Sequence, residues 1–353
     1  MFPYDGIADV QNWRRAVGRV DSHRIDPQAG VRFTLDRTTK IASAGSCFAS
    51  RIAESLQTYG FNYLVTEPGP RWLDREQRAA FGYGAYSARY GNVYTTLQLL
   101  QLARRSLGRF EPLERAWNGT AGLLDPFRPS IQPDGFVSAD ELESDRTQHL
   151  AAVRRLWEEL DVLVFTLGLT ETWLDRRDGA VFPSPPGRGA GVFDPERFAF
   201  RNLDVAENVA HLDAFLALLW EINPTARVIL TVSPVPLAAT MEPRHVLTST
   251  VYSKAVLRVT ADEICRRHER VDYFASYEIV TATGNDAEYF AADKRNVTPA
   301  GVDHVMWSFY RNYCGEEIET MTPVTAPEST FAFESKPCDD ELLLAHLERD
   351  RSL

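Results

Sequence analysis

The sequence has little lysine, no paired cysteines and no long apolar run. Only four of its 38 basic residues are lysine, which reads as coding bias, and the basic residues form no cluster of the kind a nucleic-acid surface needs. Its four cysteines, Cys47, Cys265, Cys314 and Cys338, are far apart and make no C-x-x-C pair. That spacing argues against structural zinc and against a disulfide framework, and it fits a reducing compartment. The longest apolar run, Ala214–Trp220, falls well short of the ~20 residues of a membrane span. Residues 1–10 show neither a basic nor an apolar leader segment, so a cytoplasmic location is expected. No glycine-rich phosphate loop is present, and Arg51 stands at the wrong spacing from Cys47 for a C-x5-R loop.

What is present suits a globular enzyme-sized chain. Its 353 residues are 44% hydrophobic and 25% charged, enough for one large α/β domain or two smaller ones. Of the net charge of −11, residues 316–353 supply −7. Three parts are expected: an arm over 1–38, an α/β domain over 39–315 and an acidic tail over 316–353. Within the tail, Leu342–Leu347 is a short apolar piece.

Short buried runs alternate with helical patterns. Strands are expected at Ile41–Ala44, Val162–Leu167, Arg227–Val232 and Val271–Phe274, with a further one near Phe61–Val65. Helices are expected after Gly45 and over about 93–107, 142–160, 205–222, 249–268 and 298–313. Such alternation predicts a parallel sheet with helices on both faces, and ligands then gather at the carboxyl ends of the strands.

At the first strand end stands Gly45-Ser46-Cys47-Phe48-Ala49. A nucleophile there gains from the free N–H groups and positive end of the following helix, which stabilise a thiolate and a developing oxyanion. Read blandly, Cys47 is a small core hydrophobe and Ser46 a helix cap. His304 and His245 lie in segments that leave the same sheet edge, while His23, His149, His211, His268 and His346 have polar settings and read as surface residues. Lys254, beside Ser253, reads as pairing with a carboxylate such as Glu171 or Glu278. Trp173, Tyr94 and Tyr252 line a sugar cleft or fill the core.

Gly45-Ser-Cys-Phe-Ala49 resembles the signature of the GSCFA family, a branch of the SGNH/GDSL hydrolase-like superfamily. The similarity continues through Tyr90-Gly-Asn-Val-Tyr94, Leu167-Gly-Leu-Thr-Glu171, Ser233-Pro-Val-Pro236, Tyr252-Ser-Lys-Ala255 and Ser276-Tyr-Glu278. It implies a flavodoxin-like three-layer sandwich and ester chemistry, often on acylated carbohydrates. Aligned without gaps on Gly45, Cys47 falls under the superfamily's nucleophilic serine; a shift by one residue puts Ser46 there. Gly91 and Asn92 resemble the second block, where a backbone N–H and an amide hold an oxyanion, although Asn92 also suits a helix N-cap. Gly168, Thr170 and Glu171 resemble the third block, with Thr170 in the place of the oxyanion asparagine.

The superfamily's Asp-x-x-His reads Asp293-Lys-Arg-Asn296 here, so an amide stands where the base belongs. His304 or His245 would then serve as the base, oriented by Asp293. The resemblance implies an esterase or O-acyltransferase acting on a carbohydrate or glycoconjugate, with no metal or organic cofactor. The alternative is a non-catalytic binding module of polysaccharide biosynthesis that has lost its base.

Overall fold

A computed structural model describes residues 2–187, 190–281, 289–318, 321 and 323, the side chains of Cys47 and Arg75 excepted. Leu342, Leu343, Leu347, Cys338 and His346 lie outside the described residues. In chain order the main elements begin with β1 (Ile41–Ala44), α1 (Cys47–Thr58), α2 (Thr96–Ser106), α3 (Ala139–Glu159) and β2 (Val162–Leu167). Then come β3 (Glu171–Asp175), β4 (Val181–Phe182), β5 (Phe198–Asn202), α4 (Val205–Ile222) and β6 (Arg227–Val232). The last are α5 (Val246–Arg267), β7 (Val271–Tyr273), α6 (Ser276–Thr281) and α7 (Pro299–Phe309).

The central sheet has the order β1-β2-β6-β7, and every pairing in it is parallel. All six residues of β2 are buried, as a strand covered on both faces requires. Their side chains alternate between two cores. Val162 and Val164 pack with Phe48, Ile52 and Leu56 of α1 and with Val305, Met306 and Phe309 of α7. Leu163, Phe165 and Leu167 pack with Leu99 of α2, Leu156 of α3, Leu212 of α4 and Leu257 of α5. The result is a three-layer α/β/α sandwich, as the alternation in the sequence predicts.

Outside β1 the expected Phe61–Val65 strand shrinks to one parallel bridge. Ile41 N–H donates to Asn62 at 3.0 Å and Leu64 N–H donates back to Ile41 at 2.8 Å. Counting that bridge as an edge gives the flavodoxin-like order, with the switch point between β1 and β2.

A second sheet, β4-β3-β5, is antiparallel and was not foreseen. Trp173 stands in its middle strand, β3, and is half-buried. The indole packs against Phe193 and Phe200, with ring centroids at 5.2 and 5.7 Å. Tyr94 is buried, while Tyr252 is exposed beneath the guanidinium of Arg244.

The chain before β1 runs along β7 and α7. Arg32 N–H donates to Asp272 Oδ2 at 2.9 Å, Leu35 N–H to the Tyr313 carbonyl at 2.8 Å, and Ser308 Oγ to Asp26 at 2.8 Å. At the other end Glu316 pairs with Arg37 at 2.6 Å, and Ile318 and Met321 pack on the core. Among the described residues no helix is long and apolar enough to cross a membrane.

Candidate active site

The turn from β1 into α1 is built around Gly45. Its φ is +150°, and a Cβ there would stand 2.8 Å from Thr166 Cβ and 2.9 Å from Ala49 Cβ. Only glycine lets the strand end pass so close to β2. Ser46 follows at the N-cap of α1 with extended dihedrals, yet its hydroxyl makes no cap hydrogen bond. The bland role of Ser46 as a capping side chain therefore fails. Its side chain is nevertheless buried, and at the start of α1 the Ala49 N–H donates to the Ser46 carbonyl at 2.8 Å.

Residues 90–94 are strung across this turn. Tyr90 OH donates to the Ser43 carbonyl, and Val93 N–H donates to the Gly45 carbonyl at 2.8 Å. Gly168 and Leu169 N–H donate in turn to the Tyr94 carbonyl at 3.1 and 3.0 Å. The strand ends of β1 and β2 are thus joined through one short segment. Gly91 sits in it with φ +68°, so glycine is needed for conformation, not for space. Asn92 is not a helix N-cap. Thr95 caps α2 in a capping box with Gln98, while Asn92 Oδ1 accepts from Tyr86 OH at 2.8 Å. An amide also carries two N–H donors, the kind of group an oxyanion asks for.

The third block is braced more than it is open. Lys254 donates from Nζ to the Gly168 carbonyl at 2.7 Å and is buried. The expected carboxylate partners turn elsewhere: Glu171 accepts from Thr240 Oγ1 at 2.6 Å, and Glu278 from Arg258 at 2.7 Å and Tyr273 OH at 2.8 Å. Burial raises the pKa of Glu171. Thr170 is fully buried and donates its hydroxyl to Asn202 Oδ1 at 2.7 Å, while its N–H donates to Ser253 Oγ at 3.1 Å. Its one hydroxyl proton is spent, which removes the expected oxyanion contact from the side chain.

The histidines and Asp293 do not assemble into a relay. Asp293 accepts from the N–H groups of Arg295 and Asn296 at 3.0 Å each and from Asn296 Nδ2 at 2.8 Å. These hydrogen bonds hold its carboxyl below the usual range. Asp293 therefore orients Asn296 and not a histidine.

His304 is clamped from both sides. Its Nε2 donates to the Ile25 carbonyl at 3.0 Å, so its Nδ1 accepts from Tyr289 OH at 2.6 Å. Burial lowers its pKa, which keeps it neutral near pH 7. His245 is exposed at the N-cap of α5, its Nδ1 accepting from Leu247 N–H at 3.1 Å. Neither histidine touches Ser46 among the described residues.

His149, expected at the surface, is 1% exposed and lies 2.8 Å from Glu67 through Nδ1. Burial pushes its pKa down to about 4, with Arg128 acting in the same direction. Sequence reasoning missed it although the signal was present. Leu142, Arg146, His149, Val153 and Leu156 recur at spacings of four and three along α3, so both polar residues lie on its core-facing stripe. Among the described residues no cluster of histidine, cysteine or acid is arranged to hold a metal.

The GSCFA family matches the sequence over residues 40–309. No curated protein matches it. Among solved structures, similar folds include a Clostridium thermocellum family 3 carbohydrate esterase, at 12% identity and a TM-score of 0.26 over 79% of this chain and 96% of that one. An acetyl xylan esterase, Est2A from Butyrivibrio proteoclasticus, is 13% identical with a TM-score of 0.32 over 80% and 66%. A candidate platelet activating factor from Streptococcus pneumonia is 13% identical with a TM-score of 0.27 over 48% and 64%. Likeness at this level of identity and superposition fixes neither activity nor substrate.

Proposed function

For this chain, which belongs to the GSCFA family, we propose an acyl-transfer activity, an esterase or O-acyltransferase, centred on the turn between β1 and α1. One observation carries the reading. Gly45 presses the turn against β2, and the 90–94 segment is tied across it by Gly45 and Gly168, which supports a site built from the start of α1 and the Asn92 segment at one strand edge. The family resemblance suggests an acylated carbohydrate or glycoconjugate as substrate.

The gapless register makes Cys47 the nucleophile. A thiol at a helix N-terminus ionises more readily than a free thiol, which suits a site whose Asp293 loop carries an amide in place of a base. Cys47 Sγ attacks the ester carbonyl, and the carbon–oxygen bond to the alcohol breaks. The thiol proton leaves with the alcohol. Water, or an acceptor hydroxyl in a transferase, then cleaves the thioester. The developing oxyanion is held by backbone N–H groups of the α1 start and by Asn92. Lys254 and Thr170 act as braces of the Gly168 turn. Ser46 is a second reading, favoured by the lack of any cap bond from its buried hydroxyl.

Intact-protein mass spectrometry after brief exposure to an aryl acetate tests the scheme. An acetyl adduct that maps to Cys47, is lost in Cys47→Ala and is kept in Ser46→Ala supports it. An adduct on Ser46 transfers the role to the serine. Neither adduct nor turnover would leave a binding module of polysaccharide biosynthesis.

A further inference from the structure

Behind the 90–94 segment lies a buried group of arginines and acids that acyl transfer does not use. Three of the arginines share two carboxylates, the buried Asp125 and the half-buried Asp145. Arg89 pairs with Asp145 at 2.8 Å, Arg128 with Asp125 at 2.9 Å and with Asp145 at 2.7 Å, and Arg146 lies 3.4 Å from Asp125. Glu67 is taken by His149 Nδ1 and by Arg89 N–H, each at 2.8 Å.

Arg105 receives no carboxylate. It is only 8% exposed, and its guanidinium lies over the Phe127 ring at 3.9 Å. Its Nε has no hydrogen-bond partner, and no acid pairs with it among the described residues. Burial lowers its pKa to about 10; Asp125 opposes that shift, while Arg146 and Arg128 add to it. A cation is rarely buried this way without a counter-charge.

The missing counter-charge has a place to sit. Arg105 lines a cavity of about 30 Å³ together with Arg128, His149, Gln98, Gln101 and Asn92. Arg128 Nη1 is a second buried donor without a partner. Gln98 Oε1 accepts from the Tyr94 and Thr95 N–H groups at 2.9 and 3.0 Å, so its amide has donors left to offer. No carboxylate lines the cavity. A water needs roughly 10–15 Å³ of such space, so the cavity takes about the two oxygens of an acid group, with the rest of the molecule at its open side. Two oxygens facing a guanidinium fork is the geometry of a carboxylate.

We propose that this cavity binds a carboxylate, either a free small acid or the acid group of a larger molecule, with Arg105 as its main anchor and Arg128 and Gln98 as further donors. The site stands independently of the acyl-transfer reading, although Asn92 borders both.

The melting temperature of the full chain, followed against sodium acetate, sodium glucuronate and sodium phosphate at ionic strength held by sodium HEPES, tests it. Acetate should give a saturable rise of a few degrees. Arg105→Met should remove the rise and, in anion-free buffer, melt no lower than wild type, because it deletes an uncompensated buried charge. An equal rise with glucuronate assigns the site to the acid group of a larger molecule, and acetate alone assigns it to a small acid. The proposal is overturned by an undiminished rise in Arg105→Met, by no rise with either carboxylate, by a response to phosphate alone, or by an Arg105→Met protein that melts below anion-free wild type.

Discussion

The turn after β1 and the stretch from Asp293 into α7 hold most of the candidate chemistry, and they are built in opposite ways. At the turn, glycine geometry brings the start of α1 against a strand edge, and the Ser46 hydroxyl makes no cap hydrogen bond there. In the later stretch both candidate groups close on neighbours: Asp293 on Asn296, and His304 on Tyr289 and Ile25. Residue type alone would rank the second region higher, since it offers an aspartate and a histidine. Reactive capacity, however, belongs to groups whose hydrogen bonding is unspent, and on that ground we propose the turn as the site.

The sharpest way to break this comparison is at the nucleophile. Cys47→Ala should lower aryl acetate turnover by ~10³-fold or more, the scale of losing a nucleophile, while Ser46→Ala retains most of it. Equal loss in both would merge the two roles. Next in size is the scaffold. Gly45→Ala forces a Cβ to within 2.8 Å of Thr166 and should cost about 3 kcal/mol in urea unfolding. A cost below ~1 kcal/mol would mean that the turn relaxes and does not hold the site.

In the self-satisfied region the expected losses are of stability and not of rate. His304→Ala removes two buried hydrogen bonds, one to the Tyr289 hydroxyl and one to the Ile25 carbonyl, so we expect a loss of about 2 kcal/mol with turnover per folded molecule within about threefold of wild type. A hundredfold fall in kcat with stability intact would restore His304 as the base.

His149 extends the same contrast to pH. Its pKa is about 4 when folded against 6.5 for the free side chain, so the unfolded chain takes up a proton that the folded one refuses. This contribution is full above about 6.5 and is lost as pH falls toward 4. At pH 5 the loss should be about 2 kcal/mol relative to pH 7. His149→Gln should flatten that slope, and unchanged steepness in urea titrations at the two pH values would remove His149 as its source.

The smallest effect is expected from the acidic tail. A chain ending at Pro323 keeps the Arg37–Glu316 pair and the packing of Ile318 and Met321. We expect it to melt within about 2 °C of the full chain, a shift worth under ~1 kcal/mol at this size. A larger drop would assign Leu342, Leu343 and Leu347 to the core.

The sheet, and the turn on which the proposed site rests, were legible in local spacing. Runs such as Val162–Leu167 have to be covered on both faces, their alternation with amphipathic helices admits few topologies, and a glycine at a strand end followed by Ser46 marks a turn at the carboxyl edge. These are consequences of local spacing, which any window of the chain displays. Only the tertiary structure decided which partner each polar side chain takes. Asp293 chose the amide three residues on, Lys254 a carbonyl 86 residues away, and His304 a carbonyl 279 residues away. The small sheet of β3, β4 and β5 belongs to the same class, because its strands are short and find one another across irregular chain. A buried polar group must be paired, but sequence spacing does not name its partner when competing donors and acceptors lie hundreds of residues away and are brought near only by packing.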